Sequence, residues 1–192
     1  NNVATTGGSV NITNMGTECA SGAVGYTDYS ATHSLEIIQG VTASISVGVS
    51  NYSGGVKVWI DYNQNGLFET SEIVAESSST IASGASHTQS FAIPMTATAG
   101  LTKMRVRVVE SSTTYDACSS ASWGEAEDYS VNIIEAALCS GTPLGGIASS
   151  SPTSGGTSTP FVLSTTSASA SLGLTLQWQQ SADGVSGWTD IV

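Results

Sequence analysis

The sequence predicts an all-β protein, with an antiparallel β-sandwich over residues 1–137 and an incomplete second β-sandwich over residues 138–192. Short apolar stretches alternate with polar residues at a period of two, and turn residues separate them at the spacing of a sandwich. The composition then changes, because residues 139–160 are rich in Ser, Thr, Gly and Pro and carry no charge. A hydrophobic fraction of 40% is sufficient for a packed core.

The predicted strands of the first sandwich each present one apolar face. Val10 and Ile12 begin the series, and Ile45, Val47 and Val49 show a clean alternation with small residues. Further strands are predicted around residues 35–38, 56–60, 73–74, 87–93, 101–109 and 131–133.

All four basic residues of the chain fall on these strands. Lys103, Arg105 and Arg107 form an outward row opposite an inward apolar row, and Lys57 lies on an earlier strand. The row has two interpretations. It forms a patch for an anionic ligand, or it pairs with carboxylates on neighbouring strands and protects a sheet edge, which is the interpretation we favour.

Residues 61–72 have the spacing of a calcium loop, D-x-[DN]-x-[DN]-G-x5-E. Calcium takes six to eight hard oxygen ligands, so the chain has to curl and point alternate side chains inward, and Gly66 permits the sharp turn. The alternative is a plain hairpin turn at Asn65-Gly66. The predicted ligands are Asp61, Asn63, Asn65, the carbonyl of Leu67, Glu69 directly or through water, and Glu72 with both carboxylate oxygens.

This loop follows a strand and not a helix, so the sequence predicts a structural calcium clasp and not a sensor. Three carboxylates among the ligands indicate moderate affinity, which suits calcium-rich surroundings outside the cell.

A second acidic group lies at Glu125, Glu127 and Asp128. Three carboxylates in four residues repel one another unless a cation or a basic partner offsets the charge. Two interpretations remain open: a second metal cluster, or pairing with Arg105 or Arg107.

The charge balance argues against several partners. A net charge of −11 offers neither phosphate pairing nor counterion release, so we expect no binding to nucleic acid or to an anionic membrane. The sequence has no apolar run long enough for a membrane span, and we expect no membrane insertion. His33 and His87 have no evident catalytic partner and the sequence lacks a hydrolase motif, so we expect no enzymatic activity.

Four blocks of the first sandwich resemble the GEVED domain: residues 25–30, 58–68, 104–107 and 124–129. The last block, Gly-Glu-Ala-Glu-Asp-Tyr, departs from the family motif only at Ala126, where the family has valine. The resemblance covers residues 1 to about 135. It implies a β-sandwich accessory module, without catalysis of its own, of very large secreted or surface-anchored proteins of Bacteroidetes-type bacteria, among them adhesins and the non-catalytic tails of secreted proteases.

The cysteines fit an oxidising compartment. Cys19 and Cys118 are candidates for a disulfide that would close nearly the whole first domain, and two buried thiols are the alternative. Cys139 is the odd cysteine, and we expect its partner beyond the end of this chain.

Residues 161–192 resemble an Ig-like repeat of bacterial adhesins, in which Trp178 would pack between two sheets. Leu172, Leu174 and Leu176 alternate before it. Only about half of a sandwich's strands are present. We therefore expect the chain to be part of a longer array, or its missing strands to come from elsewhere, with strand exchange as one route.

Two functional hypotheses follow. The first is a calcium-stabilised structural and adhesive module of a cell-surface protein or filament, with a surface receptor, a glycan or neighbouring modules as partners. The second is a carbohydrate-binding accessory module of a secreted enzyme, in which Trp59, Trp123 or Tyr129 stacks on sugar rings. For Trp59 the alternative is burial under a loop or a neighbouring domain, which is the interpretation we favour. An exposed aromatic platform beside the calcium loop would favour the second hypothesis.

Overall fold

A computed structural model describes residues 1–17, 25–137, 142–156, 158–168 and 174–191. The chain forms two compact units, Asn1–Ala136 (unit 1) and Ala137–Val192 (unit 2). Cys19, Cys139 and Leu172 lie outside the described residues. Across those described ranges, no helix is both long and apolar enough for a membrane crossing.

Unit 1 is built from strands, with one short 3-10 turn at Thr70–Glu72. Its strands are β1 (Asn2–Thr6), β2 (Thr13–Met15), β3 (Gly25–Asp28), β4 (Ser34–Ile38), β5 (Thr42–Gly48), β6 (Gly54–Ile60), β7 (Ile73–Glu76), β8 (Ser86–Ala92), β9 (Gly100–Glu110) and β10 (Gly124–Ile134).

The first sheet has the strand order β2-β1-β5-β8 and is antiparallel throughout. The predicted alternation in β5 is confirmed, because Ile45 and Val47 are fully buried between polar neighbours. The predicted first strand at Val10 and Ile12 is wrong. Val10 forms only an isolated bridge to Glu36 and is half exposed, whereas Ile12 is buried just before β2.

The second sheet has the order β3-β10-β9-β6-β7, and β4 also pairs with β10. β3 runs parallel to the first part of β10 and β4 runs parallel to its last part, so this sheet is mixed and not purely antiparallel. A turn over residues 29–33 connects β3 to β4, and the chain keeps its direction through this turn. Tyr29 N–H donates to the Asp128 carbonyl at 2.8 Å, and Ser130 N–H donates to the His33 carbonyl at 3.2 Å.

The hydrophobic core lies between the two sheets, which gives unit 1 the predicted β-sandwich architecture. The alternating residues Met104, Val106 and Val108 of β9 point into it and are at most 6% exposed. Tyr129 of β10 is fully buried, and its ring stacks on Tyr29 at a centroid distance of 5.7 Å. The period of two therefore identified the inward face of β9 correctly.

Unit 2 contains two small antiparallel ladders. β11 (Ile147–Ser151) pairs with β12 (Val162–Thr166), and β13 (Gln179–Gln180) pairs with β14 (Thr189–Asp190). None of the described residues of this unit is buried, and Trp178 is only partly covered. The described part of unit 2 thus has no closed core.

Candidate metal centre

The loop of residues 61–72 connects β6 to the 3-10 turn before β7, and it is anchored at its start and its middle. Asp61 N–H donates to the Lys103 carbonyl at 3.1 Å, and Thr102 Oγ1 donates to the Asp61 carbonyl at 2.6 Å. Gln64 Nε2 donates to the Thr98 carbonyl at 3.0 Å. The loop is therefore held against the beginning of β9 and the segment before it.

The three predicted oxygen side chains at alternate positions all accept backbone N–H groups of their own loop. Asp61 accepts from Asn65 at Oδ1 (3.1 Å) and from Gly66 at Oδ2 (3.0 Å). Asn63 Oδ1 accepts from Asn65 at 2.9 Å, and Asn65 Oδ1 accepts from Leu67 at 2.8 Å. Gly66 has a φ of +80°, a conformation that side chains disfavour, so the sharp turn explains the glycine.

Glu72 closes the loop from its far end. Its Oε1 accepts from the N–H groups of Tyr62 (2.9 Å) and Asn63 (3.3 Å), and its Oε2 accepts from the N–H of Glu69 at 3.1 Å. Because β6 ends at Ile60 and β7 begins only at Ile73, the alternative of a two-residue hairpin does not hold.

Asp61 and Glu72 are both nearly buried, at 6% and 3% exposure. None of the ion pairs found among the described residues includes either carboxylate. In the described part of the chain, backbone N–H groups supply the hydrogen bonds to these two carboxylates, whose burial is costly. A divalent cation would supply the missing positive charge, so this pair of carboxylates fits the predicted ion.

The composition of the site limits how an ion would be held. In the described part of the chain, no three Asp, Glu, His or Cys side chains come together as a metal cluster. Glu69 Oε2 accepts a hydrogen bond from Asn63 Nδ2 at 3.0 Å, on the exposed side of the loop. A calcium ion would therefore depend on the amide oxygens of Asn63 and Asn65 and on the Leu67 carbonyl, which are hard donors of the kind that calcium accepts.

The second predicted cluster is divided by the sheet. Glu125 and Glu127 stand opposite Val108 and Val106 of β9, on the inward face, whereas Asp128 stands opposite Arg105 on the outer face. Alternate residues of a strand point to opposite faces, so the three carboxylates do not converge. Glu127 Oε2 accepts a hydrogen bond from the Tyr129 hydroxyl at 2.8 Å.

Asp128 forms a two-point ion pair with Arg105. Arg105 Nε lies 2.7 Å from Oδ1 and Nη2 lies 2.8 Å from Oδ2. The Asp128 side chain is only 3% exposed and that of Arg105 17% exposed. Hydrogen bonding to Asp128 raises the pKa of Arg105 above its usual value, which keeps the guanidinium charged. For Asp128, pairing with arginine is thus the interpretation that holds.

Arg105 also connects the candidate calcium loop to other parts of unit 1. Its guanidinium lies 4.8 Å from the Phe68 ring centroid and 5.6 Å from that of Tyr26. Its Nη1 donates to the Ala117 carbonyl at 3.3 Å and to Cys118 Sγ at 3.2 Å. One side chain therefore contacts the loop, β3, β10 and the β9–β10 connection.

The predicted pairing with carboxylates is confirmed for three of the four basic residues. Besides Arg105, Lys57 pairs with Glu76 at 2.8 Å and Lys103 pairs with Asp28 at 2.9 Å. The predicted edge protection is wrong for β9, because this strand lies between β10 and β6 inside the sheet.

The fourth basic residue, Arg107, is 6% exposed and lies over the Tyr115 ring at 5.3 Å. It donates to the Asp116 carbonyl and to Ser119 Oγ, so it holds the β9–β10 connection on the outer face of the sheet. The Tyr115 hydroxyl donates to the Gly55 carbonyl at 2.8 Å. Sequence reasoning missed Tyr115, whose only signal is an aromatic residue in a Ser/Thr-rich connection.

For Trp59 the structure agrees with burial under a loop and not with a stacking role. Trp59 points away from the core, but the β9–β10 connection covers it, with Tyr115 at a ring distance of 6.4 Å, and leaves it 2% exposed. A sugar ring cannot reach this side chain. Tyr129 is fully buried as well, whereas Trp123 is 68% exposed.

Cys118 is exposed and has no disulfide partner among the described residues. Its predicted disulfide partner, Cys19, lies outside the described residues, so this disulfide stays a prediction.

In the block of residues 124–129 at the start of β10, the structure explains two of the residues. Gly124 has a φ of +148°, and a Cβ atom on it would lie 2.4 Å from the Val108 carbonyl oxygen. Asp128 pairs with Arg105.

The comparison with family models covers this block. Residues 55–132 match the GEVED domain. The GEVED match runs from β6 through the candidate calcium loop and most of β10, and it confirms the resemblance for these residues. The search of curated proteins finds no match for the chain.

Replacing Gly124 by alanine is expected to destabilise unit 1 by about 2–3 kcal/mol, because the new Cβ would meet the Val108 backbone as well as an unfavourable φ. Gly84→Ala is the matched control, since Gly84 has a φ of +80° with nothing within 4 Å of an added Cβ. That variant should lose only about 1 kcal/mol. Urea unfolding of both variants measures the difference, and equal losses would show that the close approach at Gly124 is unimportant.

Proposed function

We propose that unit 1 is a calcium-stabilised, non-enzymatic structural module of a large secreted or cell-surface protein, which serves adhesion or the scaffolding of a filament. One observation carries the calcium part of this proposal: Asp61 and Glu72 are buried in one loop without a cationic partner among the described residues. The match of this region to the GEVED domain supports its assignment as a module of a larger protein.

The bound ion would have a structural role in this proposal. The loop would hold it through Asp61, Asn63, Asn65 and Glu72 together with the Leu67 carbonyl, and Glu69 would contribute through water. Calcium would neutralise the carboxylates and cross-link the end of β6 to the turn before β7. Since the same loop is anchored on the start of β9, the ion would stiffen one end of the second sheet.

The test is thermal and calorimetric. We expect calcium to raise the unfolding midpoint of the 192-residue chain relative to chelator, and calcium at one hundred times its Kd should add about 2.7 kcal/mol of stability. Asp61→Asn should abolish this calcium-dependent increment, because it removes a buried carboxylate from the ligand set. Isothermal titration calorimetry of both chains measures the binding directly.

Asp116→Asn is the matched control, because Asp116 is an exposed aspartate outside the loop and the variant makes the same charge change. It should retain the full response to calcium. Identical midpoints with calcium and with chelator, together with no heat of binding, would show that hydrogen bonds alone hold the loop and would remove the calcium part of the proposal.

The carbohydrate-binding alternative has weaker support. Of the three aromatic residues on which it depends, Trp59 and Tyr129 are covered and only Trp123 is exposed. A single exposed ring does not make a stacking platform, so we place structural and adhesive roles first.

For unit 2 we propose part of an Ig-like sandwich, with strand exchange as one way of completing it. Its two short ladders and the exposure of large apolar residues, among them Ile147, Val162 and Trp188, support this proposal. For unit 1 the proposed calcium loop implies an extracellular location, since calcium-rich surroundings suit a loop of moderate affinity.

A further inference from the structure

The turn of the candidate calcium loop contains the dipeptide Asn65-Gly66, which occurs nowhere else in the sequence. Asparagine is among the chemically labile residues of proteins. An asparagine side chain reacts most easily with its own backbone when the next residue has no Cβ to obstruct the approach. Asn65 and Gly66 are both exposed, and no atom outside residues 65–67 lies within 4 Å of the position that a Cβ of Gly66 would take. The turn therefore has room for a ring to form.

One hydrogen bond of this turn favours the reaction, and another, from the Gly66 N–H to Asp61 Oδ2 at 3.0 Å, engages the nitrogen that attacks. Leu67 N–H donates to Asn65 Oδ1 at 2.8 Å, so it polarises the side-chain carbonyl and would stabilise negative charge developing on that oxygen. The same bond restricts the rotation of the carboxamide, which lowers the entropic cost of ring closure. Asn63 lies in the same loop and is equally exposed, but it is followed by Gln64.

We propose that Asn65 is a site of spontaneous deamidation that changes the charge and the backbone of the calcium loop. The Gly66 nitrogen attacks Asn65 Cγ, a bond forms between them, and the Cγ–Nδ2 bond breaks. Nδ2 leaves as ammonia with the proton that Gly66 gives up, and a five-membered succinimide remains. Water then adds across one of the two imide C–N bonds. Opening on the side-chain carbonyl gives an aspartate at position 65, and opening on the main-chain carbonyl gives an isoaspartate.

Each product changes the loop in a different way. Aspartate adds a carboxylate beside Asp61, Glu69 and Glu72, at a place where calcium loops accept either Asn or Asp. Isoaspartate adds a methylene to the main chain, so the alternate spacing of the oxygen ligands is lost. The modification does not depend on calcium, but its effect on calcium binding rests on the proposed function.

Peptide mass spectrometry of the aged full-length chain tests the modification. Trypsin cleavage after Lys57 and Lys103 gives a peptide that contains only two asparagines, Asn63 and Asn65. We expect a mass increase of about one dalton, from the exchange of an amide group for a carboxylate, at position 65. It should arise at least about tenfold faster there than at Asn63, which is the internal control. Similar rates at the two sites would overturn the proposal.

Two variants test the succinimide route and the effect on calcium binding separately. Gly66→Ala should slow the mass change, because its Cβ obstructs the attack, and an unchanged rate would contradict the succinimide route. Asn65→Asp should bind calcium more tightly than the unmodified chain in titration calorimetry, and unchanged binding would overturn the proposed effect on the ion. If neither chain binds calcium, the proposed function fails while the mass result at Asn65 stands.

Discussion

Replacing Arg105 by alanine will destabilise unit 1 by about 3–5 kcal/mol, because it leaves the Asp128 carboxylate buried at 3% exposure without its two-point partner. The variant also removes the guanidinium contacts to Phe68 and to the Ala117 carbonyl. Equilibrium unfolding in guanidinium chloride measures this loss. Since Arg105 joins the loop to the β9–β10 connection, amide exchange should increase in both segments of the variant.

Lys103→Ala is the matched control. Lys103 lies two residues earlier on the same face of β9 and pairs with Asp28, but the side chains of this pair are 47% and 41% exposed. Exposed pairs contribute about 0–1 kcal/mol, so this variant should unfold almost as the parent does. A loss of similar size in the two variants would mean that burial does not distinguish these ion pairs.

Trp59→Ala should cost about 3–5 kcal/mol, because the indole fills the space between β6 and the connection that carries Tyr115. Trp123→Ala should change stability by less than about 0.5 kcal/mol, because that side chain is 68% exposed. Thermal unfolding measures the stability of both variants. It thereby compares the same Trp-to-Ala truncation at a covered and at an exposed position.

The same pair of variants bears on the carbohydrate hypothesis. If Trp59 were a ligand platform, its removal would leave stability almost unchanged and would weaken binding to a glycan array. We expect Trp59→Ala to lose stability. We expect its glycan binding to fall only as far as unfolding accounts for.

The period of two in the sequence predicted most of the sandwich, because inward residues of β5 and β9 have to be apolar whatever the topology is. It did not predict that β3 and β4 would both run parallel to β10. Local pattern determines which face of a strand is buried, but it carries no information on which distant strand lies beside it. The same limit applies to Val10, whose alternation with asparagines resembles a strand although the residue forms only a bridge to Glu36.

Prediction of the candidate site was uneven for a related reason. The loop spacing placed the side chains of Asp61 and Glu72 correctly around one turn, because those residues are close in sequence and the turn is local. Trp59 was placed on the outer face, as the structure has it, but a strand pattern cannot show that a later connection covers that face. The calcium ion itself stays a prediction.

The parallel pairing of β4 with β10 has a mechanical consequence. β10 is the last strand of unit 1, and over residues 125–128 and 130–133 it is paired with strands on both sides. A tensile force applied along this strand would strain its ladders in shear, so many hydrogen bonds would resist together instead of opening one after another. The forced unfolding rate would then be governed by the simultaneous loss of those bonds. In a surface protein under flow, the strand that leads to unit 2 would thus be held against extraction along most of its length.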